Sequence, residues 1–254
     1  ILLASCGSSN STLKNNENQQ KWVGSWSTAP QLVEPRNVPP APGLTENTLR
    51  QIISPSLGGK SIRLKFSNEF SDRPVEMKSV EIAIVTEQPS IDISTKKTLK
   101  FDGEEGVSMP AGEAVFSDAL TFEFNPRTKL AITIKFGETA EKITGHPGSR
   151  TTSYLVEGNQ EIAEEDFTKA VTTDHWYAIN TLEVMAGEDA SAIAILGNSI
   201  TDGRGSGTNK QNRWPDILAE SLLQHSETKN VGVLNMGIGG NAVLRGGLGP
   251  TGLN

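Results

Sequence analysis

The sequence predicts two domains, an all-β sandwich followed by the beginning of an α/β domain. Three observations carry this. Between residues 21 and 188, short segments alternate apolar and polar side chains and are separated by clusters of Gly, Pro, Asn and Asp, the pattern of half-buried strands joined by turns. From residue 189 the period changes: an apolar run, a glycine-rich loop, a helical pattern and a second apolar run follow in order, as in a βαβ unit with parallel strands. The change falls at Gly187-Glu188-Asp189-Ala190, which is the expected domain boundary.

Residues 1–20 form the first element. Ile1-Leu2-Leu3-Ala4-Ser5-Cys6-Gly7 resembles the end of a bacterial lipoprotein signal peptide, with small and apolar residues leading to Cys6. That cysteine is the only one in the chain, so an intrachain disulfide is excluded. Ser8 to Gln20 is polar and lacks apolar periodicity, as a tether does. The resemblance implies acyl chains on Cys6 that hold an exported globular protein to a bacterial membrane. No run of 18 apolar residues is present, so no helical span is expected.

The sandwich elements follow. Ser61–Phe66, Val80–Val85 and Leu130–Phe136 alternate as half-buried strands do. Ala114–Phe116, Leu120–Phe124, Ser153–Val156 and Trp176–Val184 add further strands. Ser71-Asp72-Arg73-Pro74 and Asn125-Pro126-Arg127 supply turns. Many short strands with regular turn signals indicate a sandwich, jelly-roll-like in type. Trp22, Trp26, Trp176 and Tyr177 are open to two readings, a sugar-stacking platform or core packing, and packing is the expected one.

The α/β part carries the candidate chemistry. Ala192-Ile193-Ala194-Ile195-Leu196 reads as a buried strand that runs into Gly197-Asn198-Ser199, and so delivers Ser199 to the C-terminal edge of a sheet. The usual hydrolase elbow, Gly-x-Ser-x-Gly, is not met, because its fifth position is Thr201. Arg213 to Leu223 reads as a helix, with Pro215 in its first turn and Asp216 at the positive end of its dipole. Ile217, Leu218, Ser221 and Leu222 share one face at helical spacing. Val231–Asn235 is the second strand, and Met236-Gly237-Ile238-Gly239-Gly240-Asn241 follows it as a glycine loop. Both loops then sit at one edge, with glycine N–H groups beside Ser199 as an oxyanion hole requires.

Gly197-Asn198-Ser199-Ile200-Thr201-Asp202-Gly203 resembles the first block of the SGNH (GDSL-type) hydrolases, and Asn235 to Asn241 resembles their second. The resemblance covers residues 189–254. It implies a flavodoxin-like α/β/α domain and a carboxylic ester hydrolase that needs no cofactor. It assigns Ser199 as nucleophile and oxyanion N–H donor, and Gly240 as a second donor. Asn198, Asp202 and Asn241 are substrate-loop candidates. Asn198 stands where the family usually has Asp; it can hydrogen-bond the turn but carries no charge. Some bacterial members carry a β-sandwich ahead of the catalytic domain, and Trp22–Pro30 and Ile53–Gly59 are similar to it.

The family's catalytic His and Asp and its oxyanion Asn find no match here, so the chain is read as a fragment with these groups beyond residue 254. His146, in a Gly-Pro turn, His175, and His225, at a helix end, are read as solvated or capping residues. A serine without a positioned base is a poor nucleophile, and residues 1–254 alone are expected to be inactive. The substrate expected is an acyl or acetyl ester, a small molecule or an esterified glycan. The alternative is a surface glycan-binding or adhesion lipoprotein on a degenerate hydrolase scaffold. The net charge of −7 argues against nucleic acid, which selects basic patches. Asp and Glu lack metal-ligand spacing, so no metal is expected. The Gly203–Lys210 loop matches no phosphate-binding motif and is read as a substrate-site loop.

Overall fold

The computed structural model describes residues 20–159 and 167–242. Cys6 lies outside the described residues. One antiparallel sheet orders β1 (Gln20–Ser27), β15 (Ile179–Gly187), β4 (Gly59–Ser67) and β8 (Ala114–Phe116), with β9 (Leu120–Phe124) also on β4. A second orders β13 (Val171–Thr173), β12 (Ser153–Val156), β3 (Thr48–Ile53), β10 (Leu130–Phe136), β5 (Val75–Ile84) and β6 (Lys97–Thr98), with β7 (Val107–Met109) on β5. A small third sheet orders β14 (Trp176–Tyr177), β11 (Thr144–His146) and β2 (Gln31–Leu32).

The first two sheets make an all-β sandwich. Alternate residues of β4 (Ile62, Leu64, Phe66) and β15 (Leu182, Val184) point inward, and Leu64 faces Leu182 in the ladder. Against them stand Leu130, Ile132 and Ile134 of β10, flanked by Val80, Ile82, Leu49 and Ile53. Each such side chain contributes ~1.5–3 kcal/mol by leaving water.

Three strand readings change. Trp176–Val184 is two strands, because Ala178 takes φ 62°. There the chain leaves the small sheet and enters the sandwich: Ala178 N–H donates to Thr144, and Ala178 C=O accepts from Ser67. Val80–Val85 is the second half of β5, which starts at Val75. Thr48–Ile53 is an additional strand buried on both faces. Its polar residues are satisfied: Arg50 donates to Thr133 Oγ1 at 3.0 Å and lies 3.6 Å from the Phe167 ring centre.

After the sandwich come β16 (Ser191–Gly197), α1 (Ser199–Asp202), α2 (Trp214–Leu223) and β17 (Val231–Gly237), with β16 and β17 parallel. They dock on β1. Val233 N–H donates to Ser56 Oγ at 2.9 Å, Ser27 Oγ lies 3.0 Å from the Met236 sulfur, and Gly232 packs against the Gly24 carbonyl. β16 is not the buried strand its composition suggests. Ile193 is 44% and Leu196 60% exposed, because β17 is its only strand partner among the described residues. In α2 the buried residues are Pro215, Asp216 and Ala219, whereas Ile217 is 50% exposed. Of the expected stripe, Ile217 and Ser221 are exposed and Leu218 and Leu222 are half-buried. The inner face is set by Asp216, whose carboxylate accepts from the Arg213 guanidinium at 2.8 and 3.1 Å and from its backbone N–H at 3.1 Å.

Candidate functional site

β16 and β17 run in register from Ser191 opposite Val231 to Gly197 opposite Gly237. Their C-terminal ends are level, so Ser199 and the Ile238-Gly239-Gly240 loop leave the same sheet edge. The loops are cross-tied. Ile238 N–H and Asn241 Nδ2 donate to the Gly197 carbonyl at 3.0 and 3.4 Å, and Asn235 Nδ2 donates to the Thr201 carbonyl at 2.9 Å. Asn198 Oδ1 accepts from Ile200 N–H at 3.1 Å and caps α1, so the amide does the turn's work without a charge. Ser199 is the first residue of α1 and half-buried. Its hydroxyl, its N–H and the Gly240 N–H have no hydrogen-bond partner among the described residues. Gly240 has φ 77°, a conformation that suits glycine.

Of the substrate-loop candidates, Asn198 and Asn241 are engaged in holding the loops, Asn241 also accepting from Ala242 N–H. Asp202 is only 4% exposed, at the end of α1. It meets a residue that spacing placed elsewhere. His146, read above as a solvated turn residue, is 3% exposed in β11, and its Nε2 lies 2.8 Å from Asp202 Oδ1. Its Nδ1 faces the Ala29 carbonyl at 2.9 Å. A carbonyl only accepts, so Nδ1 faces it as the donor, and Nε2 faces the carboxylate oxygen. The approach is close enough that a Cβ on Gly148 would lie 2.2 Å from both Asp202 oxygens. The two partners are 56 residues apart, and packing of the β16–β17 unit on the sandwich creates the pair. The small residues of Thr144-Gly145-His146-Pro147-Gly148 were the one sequence sign of such tight packing.

Beside this pair lies a cleft of about 340 Å3 between the sandwich and the loops after β16 and β17. The sandwich supplies Glu34, Arg36, Arg150 and His175; Asp202 and Gly239 come from the serine and glycine loops. His175 Nδ1 is 2.6 Å from the Pro147 carbonyl, so that nitrogen carries the ring hydrogen. Burial works to raise the Glu34 carboxyl. Hydrogen bonds from Asn37, its own backbone and Gln31, with Arg36 nearby, outweigh it and hold the group below the ordinary carboxylate range. His225 is exposed, its backbone carbonyl accepting from Lys229 N–H past the end of α2. None of the three histidines bonds the Ser199 hydroxyl among the described residues.

Trp26 and Trp176 are buried edge to face, centroids 5.0 Å apart, and Tyr177 is buried with its hydroxyl donating to the Asn37 carbonyl at 2.8 Å. These three pack; they make no platform. Trp22 is half-buried with Arg63 4.7 Å from its ring centre. Among the described residues no group of three or more His, Cys, Asp and Glu could hold a metal, and no helix is long and apolar enough to cross a membrane. Comparison with models of known families and with curated proteins finds no match to this chain.

Proposed function

We propose that this protein is a serine ester hydrolase of the SGNH type, exported and lipid-anchored through Cys6. Ser199 attacks the ester carbonyl. The N–H groups of Ser199 and Gly240 receive the developing oxyanion, and no cofactor takes part. The observation that carries the reading is the level parallel register of β16 and β17, with a serine hydroxyl and two N–H groups at one sheet edge that have no partner among the described residues. The finer architecture belongs to the same reading: a jelly-roll-like sandwich followed by a flavodoxin-like α/β/α domain begun by β16, α1, α2 and β17. The reading requires a general base and a group that orients it; among the described residues no histidine bonds Ser199. The base takes the serine proton and returns it to the leaving alcohol, as in serine triads. The substrate is an acyl or acetyl ester, small or on a glycan.

The test is Ser199→Ala in the full-length protein. Ester hydrolysis is expected to vanish while the unfolding free energy changes by less than ~0.5 kcal/mol, as for a side chain without partners. Full activity in that variant overturns the assignment.

A further inference from the structure

Arg150 is held in place yet has nothing of opposite charge to meet. Its φ is 51°, a backbone conformation that costs a non-glycine residue energy and recurs at functional sites. Its surroundings impose it: the Arg150 carbonyl accepts from Asn209 N–H at 2.9 Å, and the neighbouring Ser149 Oγ donates to the Thr151 carbonyl at 2.7 Å. Its side-chain stem runs along Gly203 at the end of α1, where a Cβ would lie 3.3 Å from Arg150 Cγ. Its Nε is buried without a hydrogen-bond partner, and buried donors of that kind call for an explanation. Arg127 also has a buried unpaired Nε, but its terminal nitrogens face Asp216 at 3.7 Å and Glu220 at 3.2 Å. No carboxylate lies within ion-pair distance of Arg150 or Arg36 among the described residues.

Both arginines line the cleft. The carboxylates there are engaged elsewhere. Glu34 accepts from Gln31 Nε2 at 3.2 Å and Asn37 Nδ2 at 2.9 Å, and Asp202 is bound to His146. The imidazole in the wall, His175, is anchored through Nδ1. Among the described residues Arg150 is thus the charged side chain of the cleft left without a partner, in a space at the small end of the ~300–1,000 Å3 of ligand sites. A carboxylate presents two oxygens that match a guanidinium fork.

We infer that this cleft is a subsite for a carboxylate on the ester substrate, with Arg150 as its anchor and Arg36 at its rim. The inference rests on the esterase reading above and deepens it. The sandwich becomes a wall of the substrate site, and the preferred substrate is a small acidic ester. Its carboxylate can belong to the acyl part, as in a dicarboxylate half-ester, or to the alcohol part, as in an acetylated uronate sugar.

The experiment uses full-length protein and Arg150→Met with two matched substrate pairs. One is para-nitrophenyl hydrogen succinate against para-nitrophenyl acetate. The other is acetylated methyl glucuronide against acetylated methyl glucoside. The readout is the ratio of kcat/KM within each pair, which does not depend on how much of the variant is folded. The wild-type ratio is expected to favour the acidic member of one pair, and which pair identifies the source of the carboxylate. Arg150→Met lowers that ratio by about tenfold to a hundredfold, the loss expected for a charge-assisted fork. Ratios near one in wild type for both pairs, or ratios untouched by the substitution, overturn the subsite. Calorimetric titration of methyl glucuronide and of succinate monomethyl ester into both proteins separates the two readings. If no ester is hydrolysed but one of these carboxylates binds wild type at least tenfold more tightly than the variant, the subsite stands and the esterase reading falls. If no ester is hydrolysed and neither carboxylate binds, both fall.

Discussion

Truncating His146 to alanine should destabilise the protein far more than its turn-like sequence suggests. The substitution removes two hydrogen bonds, to Asp202 Oδ1 at 2.8 Å and to the Ala29 carbonyl at 2.9 Å, together with a ring packed 6.1 Å from that of Trp176. It leaves the Asp202 carboxylate 4% exposed with no other hydrogen-bond partner among the described residues. Breaking a buried pair by deleting one member costs ~3–5 kcal/mol, because the other charge stays desolvated. For a protein of this size that is a fall of roughly 6–20 °C in Tm. The assay is urea unfolding of wild type, His146→Ala, Asp202→Ala and the double variant. The m-value should hold constant, so that midpoint shifts report stability. Once one partner is gone, removing the second should cost little, which gives a coupling of about 1.5 kcal/mol or more. A His146→Ala cost below about 1 kcal/mol, or costs that simply add, would refute the reasoning that this pair ties α1 to the sandwich.

Two further outcomes follow from the packing and the titration. Gly232→Ala would place a Cβ 2.3 Å from the Gly24 carbonyl where β17 packs on β1; overpacking there should cost ~1–3 kcal/mol, and an unchanged urea midpoint would show that the junction is looser than described. Burial pushes the Tyr177 hydroxyl up to about 12, a hydrogen bond from Thr173 offsetting part of the effect, and burial also raises Tyr154. A folded pKa above the unfolded value of about 10 means stability is full below pH ~10 and drains away as pH climbs toward 12, by about 2–3 kcal/mol for Tyr177. Tyrosinate absorbance should lag behind that of a free tyrosine until unfolding begins, and Tyr177→Phe should flatten the alkaline slope; a normal titration near pH 10 in the folded protein contradicts the burial argument.

The sandwich was legible where a strand keeps one wet face. Ser61–Phe66 alternates because Ile62, Leu64 and Phe66 face the core while Arg63 and Lys65 do not. Thr48–Ile53 was not legible, since burial on both faces erases alternation and its Arg50 and Gln51 look like surface residues until Thr133, Phe167 and Tyr177 are seen to satisfy them. The apolar run of β16 promised burial, but its neighbours decide exposure, and β17 alone covers only one edge. The serine and glycine loops were legible because a parallel pair fixes which ends are level. The His146–Asp202 pair and the Arg150 cleft were not, because each joins residues far apart in the chain and no local period records a docking surface.

The most direct test of the central claim is labelling of the full-length protein with a fluorophosphonate, followed by mapping of the adduct by mass spectrometry. An activated Ser199 beside unpaired N–H groups predicts one adduct, on Ser199, lost in Ser199→Ala and lost on unfolding. A folded protein that takes no label, or one that labels equally well in Ser199→Ala, would contradict the account.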